Sequence, residues 1–245
     1  MALRKTEIAG ITVTEDTDLL CVGTDSLMLS AYVRTNRNTT AAELGAGNGI
    51  ISLLLLARDK IKSINSIEID EKSAALCLKN ATDNGFNDRM RVFCEDVRNI
   101  SPADHIGVSL VISNPPYMKT ESGKQCKNPG MEAARHEHNG DIYDFCKCAA
   151  SLLKTGGSLY LVYRPDRLTS LIDALSKNRL SPKRITFVHA DESHSPSSVL
   201  IEARKDGAPT AYVTPPLLLK QNGADTKDAI YIYENGVFPK KFITP

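Results

Sequence analysis

Asn114-Pro115-Pro116-Tyr117 follows directly on the apolar run Val108-Ser109-Leu110-Val111-Ile112-Ser113, and its residue types suit the handling of an amine. Proline fixes φ and carries no N–H, so two in succession leave rigid backbone carbonyls as acceptors. An amine on an aromatic ring is a poor nucleophile because its lone pair is delocalised into the ring. If the Asn114 side-chain oxygen and the Pro115 carbonyl each accept one N–H, the nitrogen can pyramidalise and direct that lone pair at an electrophilic carbon. No strong base is required, since the proton turns acidic once positive charge develops on nitrogen. Tyr117 offers a ring on which a planar substrate stacks, worth about 1–3 kcal/mol for a nucleobase. The plain alternative is a proline-rich exit turn with a surface tyrosine.

A second constellation lies upstream, in Glu43-Leu44-Gly45-Ala46-Gly47-Asn48-Gly49. Glycines where a strand turns into a helix let a ligand approach bare backbone at a helix N-terminus, which favours nucleotides. A dinucleotide fingerprint needs glycine at the sixth position of G-x-G-x-x-G, and that position is Ile50. Glu68 follows about twenty residues later, where a carboxylate can accept both ribose hydroxyls of a nucleoside, with Asp70 the weaker candidate. Asp96, in Glu95-Asp96-Val97, is a third strand-end carboxylate. Each alone is equally explained as a solvated strand end. Their succession at strand ends argues for a ligand, because open α/β sheets bind there.

These residues need elements to position them. Apolar runs at 39–44, 63–69, 90–95 and 108–113 read as strands, alternating with helical patterns at 48–58 and 71–84, the latter closed by Gly85. A helix over 141–153 places Ile142, Phe145, Ala149 and Leu152 on one face and ends at Gly156-Gly157, before a strand at 158–163. Another helix spans 165–177. Such alternation implies a parallel sheet with right-handed crossovers. The last two strands, 184–189 and 198–203, are joined by a polar loop too short for a crossover, so they should form an antiparallel hairpin.

Length and composition, 245 residues with 42% hydrophobic and 24% charged, suit one large α/β core. The net charge of +1 gives no global polyanion signature, although a local basic patch suffices for RNA. Cys21, Cys77, Cys94, Cys126, Cys146 and Cys148 lack paired C-x-x-C spacing, and Cys146 and Cys148 would lie on opposite sides of a helix, so reduced structural thiols and no metal are expected. The richest apolar run, 50–57, is too short for a membrane span, and the start lacks a secretory signal, so a cytoplasmic protein is expected.

A parallel sheet finished by a hairpin, with G-x-G-x-G behind an acidic residue, resembles the Rossmann-like class I methyltransferases and their motif I. The resemblance implies an α/β fold with a mostly parallel seven-stranded sheet, helices on both faces, and S-adenosylmethionine as cofactor. Its implied binding residues are Thr24, Asp25, Glu43, Gly45, Ala46, Gly47, Gly49, Glu68, Ile69, Asp96, Val97 and Asn114, with Asp96 accepting from the adenine amino group. A helix N-cap explains Thr24 or Asp25 equally well.

Asn-Pro-Pro-Tyr is shared by families acting on adenine in DNA or RNA and on glutamine in protein release factors. The segments Gly23-Thr24-Asp25-Ser26-Leu27-Met28-Leu29-Ser30, Ala134-Arg135-His136-Glu137, Tyr163-Arg164-Pro165-Asp166-Arg167-Leu168, Phe187-Val188-His189 and Val199-Leu200-Ile201-Glu202-Ala203 narrow the choice. Over about 24–216 they look like the bacterial tRNA1(Val) adenine-37 N6-methyltransferases. That implies a catalytic Asn114, Pro115, Pro116 and Tyr117, and RNA contacts from Tyr117, Lys119, Lys124, Lys127, Arg135, His136, Arg164 and Arg167, cations that a solvated surface explains as readily. The implied layout is an N-terminal extension (1–38) contributing to the site, a catalytic domain (39–210) and a C-terminal extension (211–245), in a monomer or weak homodimer. A glutamine methyltransferase and a non-catalytic module binding S-adenosylmethionine or RNA remain as alternatives.

Overall fold

The computed structural model describes residues 3–16, 23–101, 107–115 and 140–243. In chain order these form a hairpin of β1 (Leu3–Ile8) and β2 (Ile11–Asp16), α1 (Thr24–Tyr32), β3 (Thr40–Leu44), α2 (Ile50–Ala57), β4 (Ser63–Glu68), α3 (Glu71–Asp83), β5 (Met90–Cys94) and β6 (Val108–Ser113). Then come α4 (Ile142–Leu152), β7 (Leu153–Tyr163), α5 (Leu168–Lys177), β8 (Leu180–His189) and β9 (Ser198–Lys205). The two-residue strands β10 (Tyr212–Val213), β11 (Leu217–Leu218), β12 (Lys220–Gln221) and β13 (Ala224–Asp225) precede α6 (Lys227–Asn235).

The seven strands β3 to β9 share one sheet in the order β5-β4-β3-β6-β7-β9-β8, with β10 and β11 adding parallel to the outer edge of β8. The pairs from β5 through β7 are parallel, and β9 is antiparallel to both its neighbours. The expected hairpin is therefore present, with the later strand lying inside. Burial explains why: Val199, Leu200 and Ile201 are successive and wholly buried, so β9 is apolar on both faces, as an interior strand must be.

Period-two alternation divides the core. Ala41, Leu110, Ile112 and Tyr160 face one cluster with α1 and α2, whereas Ala42, Leu44, Val111, Leu159 and Leu161 face another with α4 and α5. Helix α2 reads Ile-Ile-Ser-Leu-Leu-Leu-Leu-Ala and is buried from Ile50 to Leu56, as expected of a helix apolar all round. At the start of α4, Asp141 accepts from the backbone N–H groups of Tyr143 and Asp144, at 2.9 and 3.0 Å. Its Cys146 and Cys148 are both buried, and burial pushes both thiols up to about 12. Strand β7 starts at Leu153 rather than beyond the glycines, with Gly156 at φ +76 inside it and a register shift against β6 at Val108/Leu110. Among the described residues, no helix is long and apolar enough to cross a membrane.

Under the glycine loop lies a polar knot. The Glu43 carboxyl, 1% exposed on β3, accepts from the Ser52 N–H of α2 at 3.0 Å and from the Ser52 hydroxyl, which also meets the Ser66 hydroxyl of β4 at 2.8 Å. Burial raises the Glu43 pKa from 4.5 to about 8, against the Ser52 hydrogen bonds, which lower it. Because the folded-state value lies above the unfolded one, stability is full below about pH 4.5 and falls as pH rises towards about 8. Glu43→Gln removes this dependence. Denaturant midpoints measured across that window should show the wild type losing up to about 1.4 kcal/mol per pH unit relative to the variant. Parallel profiles would show that Glu43 ionises freely in the fold.

Candidate active site

The register pairs Leu44 with Ile67 on one side and with Ser113 on the other, which brings the exits of β3, β4 and β6 into a row. Residues 45–49 leave β3 along that row and are pinned at nearly every step. Gly45 and Ala46 donate to the Ile67 carbonyl at 2.9 and 3.0 Å, Gly47 donates to Glu68 Oε2 at 2.7 Å, and Gly49 donates to the Ala46 carbonyl at 2.8 Å. The two later glycines are required for different reasons. A Cβ on Gly49 (φ +84) would stand 2.7 Å from Cys77 Sγ, whereas Gly47 (φ +56) has no atom within 4 Å of that position. Gly49 thus packs the loop down, and Gly47 leaves bare backbone facing open space. The Asn48 Nδ2 is buried in the same loop without a hydrogen-bond partner.

Glu68 is clasped from both sides, by Gly47 on Oε2 and by the Asp70 N–H on Oε1 at 3.0 Å. A carboxylate has about four acceptor positions, so it retains capacity for two hydroxyls. Burial pushes its pKa up, and the two N–H groups oppose that shift. The Asp70 side chain instead caps α3, accepting from the Ser73 N–H at 2.8 Å. Bare backbone at Gly47 beside an oriented carboxylate at Glu68 fits the ribose and adjoining atoms of S-adenosylmethionine.

The catalytic end is tied to this loop. Ser113 Oγ donates to the Leu44 carbonyl at 2.7 Å, so the residue before Asn114 is bonded to the residue before Gly45. Asn114 Nδ2 donates to Ser26 Oγ of α1 at 3.3 Å, which turns the amide so that its other end is the acceptor oxygen. Pro115 is buried. Ser26 is a site residue that sequence reasoning missed; a lone serine beside Thr24-Asp25 carries no signal of its own. Thr24 and Asp25 occupy the first turn of α1 behind Gly23, which is the N-cap, so neither caps the helix.

Other expected residues are placed less directly. Glu43 is buried, with its carboxyl turned to Ser52 of α2. Asp96 is held by Arg98, through the backbone N–H at 2.8 Å and the guanidinium, so an adenine amino group would share that carboxylate with a cation. Val97 is buried, and the Ile69 carbonyl faces the Cys94 thiol at 3.7 Å. Phe145 of α4, also unforeseen, stands 3.4 Å from where a Gly45 Cβ would be and closes the loop on that side. Arg164 pairs with Asp166 at 2.9 Å and, with Ser195 and Ser197, lines a cavity of about 510 Å³ beyond the β7 exit. Pro116, Tyr117, Lys119, Lys124, Lys127, Arg135 and His136 lie outside the described residues.

Residues 20–178 match the family described as Methyltransferase small domain. The tRNA1(Val) (adenine(37)-N6)-methyltransferase of Bacteroides fragilis is 30% identical over 78% of this chain and 79% of its own length. That of Citrobacter koseri is 31% identical over 77% of each. Among solved structures, a "predicted O-methyltransferase" from Agrobacterium tumefaciens has a TM-score of 0.71 at 22% identity, covering 88% of this chain and 98% of that one. The tRNA m1G37 methyltransferase of M. jannaschii has a TM-score of 0.56 at 14% identity, over 84% of this chain and 57% of that one. At those identities the two structures speak for the fold alone, that of the Rossmann-like class I methyltransferases. A family match across most of the sheet, together with relatives at 30% identity or more over three quarters of the sequence, establishes that the chain belongs to the Methyltransferase small domain family, whose cofactor is S-adenosylmethionine.

Proposed function

We propose that this protein is a cytoplasmic enzyme that methylates the exocyclic N6 amine of an adenine in tRNA, the adenine at position 37 of tRNA1(Val). The names of the relatives support the substrate, and the placement of Asn114 supports the chemistry. The observation that carries the reading is the double tether of the Asn114 segment, through Ser113 to Leu44 and through the Asn114 amide to Ser26. An acceptor held this way needs no reorganisation when charge develops on the amine.

S-adenosylmethionine, when bound, supplies the methyl group. The chain supplies the positioning. Asn114 Oδ1 and the Pro115 carbonyl accept the two N–H bonds of the adenine amine and turn its lone pair towards the cofactor, while Tyr117 stacks on the base. Glu68 takes the ribose hydroxyls and Gly47 lets the cofactor lie close to the backbone. Reaching an adenine in an RNA loop requires flipping it out of its stack. Arg164 at the β7 exit, with Lys119, Lys124, Arg135 and His136, is assigned to the RNA around it.

Three measurements test the proposal. Labelled cofactor incubated separately with tRNA, DNA and release factors should place label in tRNA as N6-methyladenosine; label in protein alone would overturn the reading. Asn114→Ala should lower the transfer rate by about 10²–10³, the usual loss for one preorganised transition-state hydrogen bond, with cofactor affinity within about threefold of wild type. Equal loss of both would make Asn114 structural. Glu68→Ala should weaken S-adenosylhomocysteine binding by at least about tenfold, as expected for lost hydrogen bonds to a charged acceptor. Unchanged affinity would remove its ribose role.

A further inference from the structure

An asparagine with no exposed surface inside a helix needs its polar atoms satisfied. Asn80 of α3 is such a residue, 0% exposed. Its Oδ1 accepts from the Thr14 N–H of β2 at 2.9 Å, and its Nδ2 donates to the Thr14 carbonyl at 3.0 Å. One turn on, Asn84 repeats the pair at Thr12, accepting at 3.0 Å and donating at 2.8 Å. The match is geometric. Residues four apart on a helix rise roughly 6 Å and residues two apart on a strand roughly 6.7 Å, so two side-chain amides serve β2 as a neighbouring strand edge would.

Asn80 does one thing more. Its remaining N–H donates at 2.9 Å to the carbonyl of Asn48, between the two positive-φ residues Gly47 and Gly49. That carbonyl belongs to the peptide whose N–H, on Gly49, donates to Ala46. Holding the oxygen therefore holds the plane of the turn. Both N–H bonds of the Asn80 amide are committed, one to the hairpin and one to the loop. Glu68 grips the same loop at Gly47 from its other side.

We propose that Asn80 is a positioning residue for cofactor binding, its amide, fixed by Thr14 of the hairpin, holding the turn of the glycine loop through the Asn48 carbonyl. The proposal rests on the reading that S-adenosylmethionine lies on this loop. Asn84 makes the same hairpin contacts without the loop bond, and so serves as an internal control.

The test is calorimetric titration of the full chain with S-adenosylhomocysteine, alongside turnover on tRNA at saturating cofactor and amide exchange at Thr12 and Thr14. Asn80→Ala should raise the S-adenosylhomocysteine Kd by at least about tenfold, the scale of a buried hydrogen bond, with kcat at saturating cofactor within about threefold of wild type. Asn80→Asp, which keeps an acceptor for Thr14 but offers no N–H to Asn48, should lose affinity similarly. Asn84→Ala should speed exchange at Thr12 and leave Kd within about twofold, because it leaves the loop bond in place. Wild-type affinity in either Asn80 variant, or equal loss in Asn84→Ala, would overturn the proposal, as would failure of both Asn80 variants to fold. Wild type that binds no S-adenosylhomocysteine would overturn the cofactor reading itself.

Discussion

The hydrogen bond from the Ser113 hydroxyl to the Leu44 carbonyl joins the two places where this chain leaves its sheet to do chemistry. One residue beyond Leu44 the glycine loop begins, and one residue beyond Ser113 stands Asn114. The relation holds only in the register that pairs Leu44 with Ser113 and with Ile67. A slip of one residue would move Asn114 by about 3.3 Å and turn its strand inside out, exchanging the residues that face α2 for those that face α4. Burial of both faces of β3 and β6 makes that slip prohibitive, so the core sets the spacing of the site.

Beneath the loop, burial disfavours the charged forms of two titratable groups. Burial raises the Glu43 carboxyl to about 8, and it pushes the Cys77 thiol, which lies against Gly49, well above its ordinary range. The same close packing leaves no room for a side chain at Gly49, whose Cβ would stand 2.7 Å from Cys77 Sγ.

Much of this was legible in the residue order. Strand β6 has the bounds its apolar run suggests, and the glycine loop and Glu68 stand at strand ends as their spacing implies. Asp70, by its spacing the weaker ribose candidate, instead caps α3 through the Ser73 N–H. The β1–β2 hairpin was not legible. Leu-Arg-Lys-Thr-Glu-Ile is largely exposed and shows no apolar alternation, and β2 is held partly by two asparagine amides from a helix some seventy residues away. Side-chain docking of that kind leaves no mark on residue spacing, and the alternation Ile11-Thr12-Val13-Thr14 is too short to stand out alone. The contact of Ser26 with Asn114 and the burial that raises the Glu43 pKa were hidden for a related reason, since both depend on which distant groups surround them.

The interior position of β9 bears on how the chain is made. Strand β7 cannot acquire its second neighbour until residues 198–205 exist, and β8, although it precedes them, can join the sheet only through them. Until then β7 presents Leu-Tyr-Leu-Val-Tyr as an open edge, apolar on both faces and without a charge or proline to discourage pairing. A nascent or truncated chain ending before β9 would therefore already own its glycine loop and Asn114, yet carry a template for association with its own copies. Strand β9 is thus what closes the β7 edge.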